Sequence, residues 1–238
     1  MNDDGTYDIV DQRDHALPGI GGRGRILCDR FEVVDAMARE VSISAHASLK
    51  SFGSFQLIVS PSAITTHLIR SMLIDPAHRG FPWLTTDLWF SDISADESDG
   101  SIADIESMLL EHGGMSPTRF HRFDPSDSAA SSADFERRFR ARVIDGGVRR
   151  GADCAVIGLD GHWIDWSRTV IADERLCRSC PNQQRLVLHE SQIRACASIV
   201  AAGTMSDVEA LKILASHVAA NHPGLSWYLS RAQAEESR

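Results

Sequence analysis

Apolar residues along the chain follow two alternating patterns. Short apolar runs of strand length are followed by longer stretches in which apolar residues recur every three or four positions, the spacing of a helix face. We predict strands at residues 25–28, 55–60, 87–92, 153–158, 185–188 and 198–201. We predict helices at residues 31–51, 61–74, 101–112, 129–143 and 206–219. Strands and helices therefore alternate along most of the chain.

This alternation predicts the fold class. Strands joined by helical crossovers form a mainly parallel sheet with helices on both faces, so we expect a Rossmann-like α/β fold. In such sheets ligands bind outside the carboxyl ends of the strands, here after Ser60, Phe90 and Gly158. Residues 1–23 mix Asp, Gly and Pro without periodicity. We predict that they form a mobile N-terminal arm, followed by a single α/β domain over residues 24–238.

Composition and charge exclude several partners. The 238 residues carry a formal net charge of −9, which repels phosphate backbones and anionic lipids, so we expect no nucleic acid and no membrane partner. The chain lacks a stretch of about 18 uninterrupted apolar residues, as a membrane span requires. The acidic N-terminus lacks the apolar core of a secretory signal. Five cysteines, most of them isolated, are typical of a reducing compartment, so we expect a cytoplasmic location.

We assign no catalytic or metal-binding role to the C-x-x-C pair or to the scattered histidines. Cys177 and Cys180 form a C-x-x-C pair, but a structural zinc site needs two more ligands and only His189 is nearby. We interpret the pair as two loop thiols and expect neither metal nor cofactor. His121 and the other scattered histidines have no partner at useful spacing, so we interpret them as surface or satisfied core residues.

The most informative stretch is Gly158-Leu-Asp-Gly-His162, at the end of an apolar strand. Two glycines permit close approach of a substrate. A carboxylate two residues from an imidazole can orient it, hold its tautomer and raise its pKa toward the working pH, which suits a general base. His162 and Asp160 are therefore candidate catalytic residues. The alternative is a turn in which both side chains only cap the next segment.

The other strand ends carry hydroxyl and carboxyl groups. Asp92 follows a buried strand, where a carboxylate can act in catalysis; its alternative role is capping or pairing with an arginine. Ser60 and Ser62 precede a helix, and hydroxyls with free N–H groups at a helix N-terminus form an anion site. The alternative is that Ser62 or Thr65 is simply an N-cap.

Together these elements resemble the 6-phosphogluconolactonase and glucosamine-6-phosphate deaminase superfamily, with the lactonase branch the better match. The resemblance rests on the hydroxyl-rich loop, Trp89-x-x-Asp92, the G-x-D-G-H segment ending at His162 and the Arg185-Leu-Val-Leu strand. It runs from about residue 25 to the C-terminus. It implies a Rossmann-like fold and hydrolysis of a sugar phosphate lactone, as in the pentose phosphate pathway, without metal or cofactor.

The resemblance also implies roles for individual residues. His162 matches the histidine that activates water, Asp160 matches its neighbouring carboxylate, and Asp92 matches the Asp of the W-x-D-E-R motif. The implied substrate-binding residues are Ser60, Ser62, Ser94, Gly158, Gly161, Arg185 and Ser206.

The chain departs from the family at the phosphate end of the site. The loop S-G-G-S-T-P reads Ser60-Pro-Ser-Ala-Ile-Thr65, so a proline removes one N–H donor. A family arginine is replaced by Ser94 and a family lysine by Ser206. Each charge-assisted hydrogen bond is worth about 1.5–3 kcal/mol, so these losses predict phosphate binding weakened by about a hundredfold or more.

Three functions remain open. The first is a lactone hydrolase acting on a sugar lactone or sugar phosphate lactone. The second is an amino-sugar-phosphate deaminase or isomerase, in which Asp92 would abstract the proton beside the carbonyl and His162 would assist ring opening. The third is a non-catalytic relative that binds a sugar ligand or a partner. In each case we expect a small-molecule ligand and a monomer or homodimer.

Overall fold

The computed structural model describes residues 17, 20–94, 101–122, 128–145, 149–159, 177–180, 185–218 and 222–231. Within them, ten strands are β1 (Arg23–Leu27), β2 (Phe55–Val59), β3 (Thr86–Phe90), β4 (Asp92–Ser94), β5 (Phe120–His121), β6 (Cys154–Gly158), β7 (Cys177–Cys180), β8 (Arg185–Leu188), β9 (Ser198–Thr204) and β10 (Leu225–Ser230). The α-helices of the same residues are α1 (Arg30–Phe52), α2 (Ala63–Ile74), α3 (Ser101–Glu111), α4 (Ser128–Phe139), α5 (Glu190–Arg194) and α6 (Val208–Ile213).

Seven strands form one sheet in the order β1-β10-β9-β6-β2-β3-β5, and all their pairings are parallel. Every residue of β2, β3 and β6 is buried. Strands covered by helices on both faces need such continuous apolar runs, which explains why these runs were visible in the sequence. The predicted α/β fold with a mainly parallel sheet is confirmed.

A second, three-stranded antiparallel sheet has the order β4-β8-β7. It begins directly beyond the carboxyl end of β3, because only Ser91 separates β3 from β4. The sequence analysis assigned residues 185–188 to the main pattern of strands, and the pairing of β8 with β4 and β7 corrects that assignment. The interpretation of Cys177 and Cys180 as loop thiols is also wrong, since both residues lie in β7.

Helix ends follow local capping rules. The Asp29 side chain accepts a hydrogen bond from the Glu32 backbone N–H at the start of α1, and Gly53 ends α1 with a left-handed φ of 72°. The predicted helices at 31–51, 61–74 and 101–112 match α1, α2 and α3 within two residues. The predicted helix at 129–143 continues from α4 into a π-helical turn at Arg140–Ile144.

Residues beside the predicted domain boundary belong to the main sheet and its core. Ile20 is buried in the core, and β1 begins at Arg23. The division into an arm and a domain itself remains a prediction. Among the described residues, no helix combines the length and the apolar character that crossing a membrane requires.

A cluster of buried charges joins β3, β5 and α4 at the amino end of the sheet. Asp87 Oδ1 accepts hydrogen bonds from His121 Nε2 and Arg142, both at 2.9 Å. Its Oδ2 accepts from Arg119 at 2.7 Å and from the Gln56 amide at 3.1 Å. Asp87 is 1% exposed, so this carboxylate is compensated by protein groups rather than by water.

The tautomer of His121 follows from its neighbours. An Arg138 N–H lies 3.2 Å from His121 Nδ1, and a guanidinium can only donate. Nδ1 therefore accepts and Nε2–H donates to Asp87, while the neutral ring stacks on Trp89 at 3.7 Å. His121 is thus a satisfied core residue, one of the two interpretations given from the sequence, and the fold supplies its partner from a carboxylate 34 positions away.

Burial is the largest influence on the pKa values of this pair. Burial lowers the pKa of His121, the hydrogen bond and charge of Asp87 oppose that effect, and the charges of Arg138 and Arg142 reinforce it. Burial alone would raise the pKa of Asp87, but the His121 hydrogen bond and the charges of Arg142 and Arg119 hold it below its ordinary value.

We predict that Asp87→Ala lowers the free energy of unfolding by about 2–4 kcal/mol, because buried His121 and Gln56 and partly exposed arginines lose their acceptor. Glu209→Ala is the control: its side chain is 75% exposed and pairs with Lys212 outside the cluster, so we expect a loss below about 1 kcal/mol. Urea unfolding measures both. Equal losses in the two variants would contradict the structural role of Asp87.

We predict that part of the loss of stability between pH 7 and pH 5 comes from His121. Its pKa is lowered in the folded protein, so below about pH 6.5 the unfolded chain takes up a proton that the folded ring resists. Stability therefore falls as the pH drops through this window. His121→Gln keeps a donor for Asp87 but does not titrate. Urea unfolding at several pH values should show a shallower slope for this variant than for the wild type, and identical slopes would refute the prediction.

Candidate functional site

The strand order predicts a ligand site at the centre of the main sheet. From β2 the chain moves outward through β3 to β5, and from β6 it moves in the opposite direction through β9 to β10. β2 and β6 are neighbours, so the direction of winding reverses between them. In open α/β sheets a ligand crevice lies at such a reversal, outside the carboxyl ends of the strands. The residues after Val59 and Gly158 are therefore the structural candidates for a site.

Ser60 and Gly158 meet at this point. The Ser60 backbone N–H donates to the Val156 carbonyl at 2.9 Å, and the Gly158 N–H donates to Ser60 Oγ at 2.7 Å. Beyond the last backbone hydrogen bond between β2 and β6, the Ser60 hydroxyl thus adds one more bond between the two strand ends. Ser60 is 5% exposed. These two predicted substrate-binding residues are brought together by the fold.

Ser62 is the N-cap of α2. Its Oγ accepts from the Thr65 backbone N–H at 3.2 Å and donates to Thr65 Oγ1 at 3.0 Å. A Cβ added to Gly158 would lie 2.2 Å from Ser62 Oγ, so only glycine fits at the end of β6. Ser62 is thus an N-cap, one of the two roles considered from the sequence, and it lies with Ser60 and Gly158 in one buried cluster. Whether they contact a substrate remains a prediction.

Asp92 lies just beyond β3, the neighbour of β2, at the same carboxyl edge of the main sheet. Ser91 N–H donates to the Val59 carbonyl at 2.8 Å, and Ser91 Oγ donates to Asp92 Oδ1 at 3.1 Å. Asp92 is half-buried and opens β4, where it pairs in register with Val187. Its carboxylate is therefore held at the junction of the two sheets.

The second sheet brings two other predicted residues together along the backbone. Ser94 of β4 is in register with Arg185 of β8. The Leu188 N–H also donates to the Ser91 carbonyl at 2.7 Å, which ties β8 to the end of β3. The side chains of Ser94 and Arg185 are not among the described ones.

The end of β9 carries polar residues that the sequence analysis overlooked. Asp207 accepts hydrogen bonds from the Thr204 N–H at 2.7 Å and from Thr204 Oγ1 at 2.9 Å. Its carboxylate packs on Gly203, where an added Cβ would lie 2.7 Å from Asp207 Oδ2 and 3.0 Å from Leu159. The Thr-x-x-Asp spacing of a capping box was the signal available in the sequence. Ser206, a predicted site residue, is exposed, and its hydroxyl contacts Thr204 Oγ1 at 2.5 Å.

Three predicted residues lie outside the described part of the chain: Asp160, Gly161 and His162. The segment that contains them starts at the crevice, because the Leu159 N–H donates to the Ala202 carbonyl of β9 at 2.8 Å. Their roles therefore remain predictions. In the ranges that the structure describes, no group of three or more His, Cys, Asp or Glu residues is placed to hold a metal ion.

The solved structures that resemble this protein include 6-phosphogluconolactonases and a deaminase. The protein is similar to the 6-phosphogluconolactonase from Thermotoga maritima, with a TM-score of 0.69 and 14% identity over 87% of this chain and 99% of that one. It is similar to the 6-phosphogluconolactonase from Plasmodium vivax, with a TM-score of 0.68 and 8% identity over 93% and 94% of the chains. A monomeric glucosamine-6-phosphate deaminase, described as a missing link of the NagB superfamily, matches with a TM-score of 0.62 and 13% identity over 87% and 97%.

Sequence similarity to curated proteins is partial. The human GDH/6PGL endoplasmic bifunctional protein is 26% identical over 139 residues, which is 55% of this chain and 17% of the human protein. The chain thus matches less than a fifth of the length of that relative. No family model matches the chain.

The fold defines an α/β protein with a Rossmann-like parallel sheet and a candidate site at the reversal of its winding. More particularly, its fold is the one seen in 6-phosphogluconolactonases and in a deaminase of the NagB superfamily, which confirms the resemblance inferred from the sequence.

We predict that Gly158→Ala destabilises the protein by about 1–3 kcal/mol, because the new methyl group meets the buried Ser62 side chain. Gly80→Ala is the control, since no heavy atom lies within 4 Å of an added Cβ at that exposed position. Thermal or urea unfolding compares the two variants. A second change, Ser62→Gly, made together with Gly158→Ala, should remove most of the clash while losing the cap; a double variant with no relief would argue against this contact.

Proposed function

We propose that the protein hydrolyses a sugar lactone by attack of water on the lactone carbonyl. One observation supports this proposal most: the Gly158-Leu-Asp-Gly-His162 segment begins at the carboxyl end of β6, beside the reversal between β2 and β6. That is where a parallel sheet presents a ligand site. The fold shared with 6-phosphogluconolactonases supports the same reaction class.

In the proposed reaction, His162 is the general base and Asp160 holds its tautomer. His162 takes a proton from water as the water oxygen bonds to the lactone carbonyl carbon. Backbone N–H groups stabilise the oxyanion that forms. The intermediate then collapses: the bond from the carbonyl carbon to the ring oxygen breaks, and the ring oxygen takes the proton from His162. The product is the open-chain hydroxy acid, and His162 returns to its starting state without metal or cofactor.

Other residues around the proposed site would supply binding and positioning. Asp92 is a half-buried carboxylate at the junction of the two sheets, suited to orient a sugar hydroxyl or the attacking water. Ser94 and Arg185 would act from the second sheet, whose β4–β8 pairing brings their backbones side by side. The proposed substrate-binding set is completed by Ser60, Ser62, Gly158, Gly161 and Ser206.

A second candidate is an amino-sugar-phosphate deaminase or isomerase, which the similarity to the deaminase structure supports. Asp92 would then abstract the proton beside the carbonyl, and His162 would assist ring opening. Ammonia release or ketose formation from an amino-sugar phosphate distinguishes this reaction. The third candidate, a non-catalytic binding protein, would show ligand binding without turnover on either substrate class.

The wider assignment belongs to the same proposal. We propose a small sugar lactone as the partner, a monomer or homodimer, a cytoplasmic location and a role in carbohydrate metabolism of the pentose phosphate type. The arm at residues 1–23 and the single lactonase-like domain at 24–238 are part of this proposal.

We predict that His162→Ala lowers the rate of lactone hydrolysis by at least about a hundredfold, the usual contribution of a general base. The control is His46→Ala, an exposed histidine of α1 whose ring bonds the Ser42 carbonyl at 2.7 Å, and we expect it to keep the wild-type rate. The assay follows acid release from the lactone after subtraction of spontaneous hydrolysis. An unchanged rate in His162→Ala would remove the proposed mechanism, and ammonia release from amino-sugar phosphates without lactone hydrolysis would favour the second candidate.

A further inference from the structure

We propose that the outer side of α1, together with the groove beside it, is an interface between two copies of this chain related by a two-fold axis. None of the residues assigned to the proposed reaction lies on α1, so this interface is independent of the hydrolase function. Two features of the surface support it: a row of four side chains whose chemical order is self-complementary, and an open groove that the row borders.

Four side chains stand in one row along the outer side of α1. Residues four positions apart on a helix are neighbours on its surface and form a ridge. This ridge consists of Phe31, Asp35, Arg39 and Ile43. Phe31 is 85% exposed and Ile43 is 71% exposed, among the most exposed large apolar side chains of the described residues. Asp35 and Arg39 are also open to solvent and form an ion pair at 2.7 Å.

The order apolar, acid, base, apolar matches itself when the ridge is reversed. In a two-fold interface, residue i of one copy contacts residue j of the other, and j contacts i. An axis level with Met37, the midpoint of the ridge, relates two antiparallel copies of α1. Phe31 then faces the partner's Ile43. Asp35 faces the partner's Arg39, so the two ion pairs combine into four charges of alternating sign.

The charges also specify the register of the two helices. A shift of one helix by a turn would place Arg39 against the partner's Arg39, or Asp35 against the partner's Asp35. Like charges that face each other across an interface are unfavourable. The register centred on Met37 avoids both contacts and pairs the apolar ends as well.

The ridge borders an open groove between α1 and β1, the edge strand of the main sheet. The groove has a volume of about 930 Å³, and Asp35, Arg39 and Ile43 form part of its wall. Arg23 and Arg25 of β1 also line it. A stable interface buries about 800 Å² of each partner. The four ridge side chains supply only part of that area, and the groove gives the partner's helix the remaining contact surface.

Sedimentation equilibrium of the full chain tests whether two copies associate. We expect the apparent mass to rise from 26.1 kDa toward twice that value as the protein concentration increases. A mass of 26.1 kDa at every concentration from about 1 to 100 μM would overturn the proposal.

Replacement of one apolar residue tests the surface. Phe31→Ser removes two apolar contacts, because a two-fold axis uses each residue twice, and we expect it to raise the dimer Kd at least about tenfold. Leu84→Ser is the matched control: Leu84 is also 71% exposed but lies in the turn before β3, and we expect the wild-type Kd. Circular dichroism verifies that both variants are folded. An unchanged Kd in Phe31→Ser, or an equal rise in both variants, would show that α1 is not the interface.

Charge reversal tests the register. Asp35→Arg and Arg39→Asp each set like charges against one another, so we expect each variant alone to be monomeric where the wild type is a dimer. An equimolar mixture of the two variants should form a heterodimer, because every arginine of the ridge again faces a carboxylate of the partner. Mixing restores no ion pair within either helix, so recovery of the dimer reports contacts between copies. Single variants that dimerise like the wild type, or a mixture that stays monomeric, would refute the pairing.

Discussion

The parallel pairing of β2 with β6 is the constraint on which the rest of the structure depends. It joins residues 97 positions apart: the Gln56 N–H donates to Asp153 Oδ2 at 2.7 Å, and the Asp153 N–H donates to the Gln56 carbonyl at 3.0 Å. Closing a loop of that length costs chain entropy. The buried hydrogen bonds and packing between β2 and β6 offset this cost. Once formed, this pairing fixes the reversal of winding and so the position of the crevice.

The two ends of the same strands have different chemistry. At the amino end, Asp87, His121 and their arginines form a buried charge cluster that attaches α4 and β5 to the sheet. The groups of this cluster are paired with one another, so the cluster stabilises the β5 edge of the main sheet. At the carboxyl end, the polar groups are hydroxyls and carboxylates around Ser60, Asp92 and Asp207.

Elements with a strong local signal were predicted well. The boundaries of β2, β6 and α1 lie within two residues of those expected, because continuous apolar runs and helical periodicity are local properties. β5 and β10 were not predicted. β5 has only two residues, and Leu225–Ser230 alternates apolar and polar residues yet is buried at every position because it pairs inside the sheet. The separate antiparallel sheet was also not predicted, since pairing partners distant in the chain leave no local pattern.

The sequence by itself determined the α/β class, the strand ends that carry polar residues and the resemblance to a lactonase and deaminase superfamily, because each depends on short motifs and periodicity. Only the tertiary structure decided that Ser60 and Ser62 are buried and internally bonded, and that Ser94 is in register with Arg185. These facts depend on which strands become neighbours. Long-range packing determines which strands become neighbours. A buried hydroxyl then bonds to the polar group that the sheet brings within about 3 Å of it.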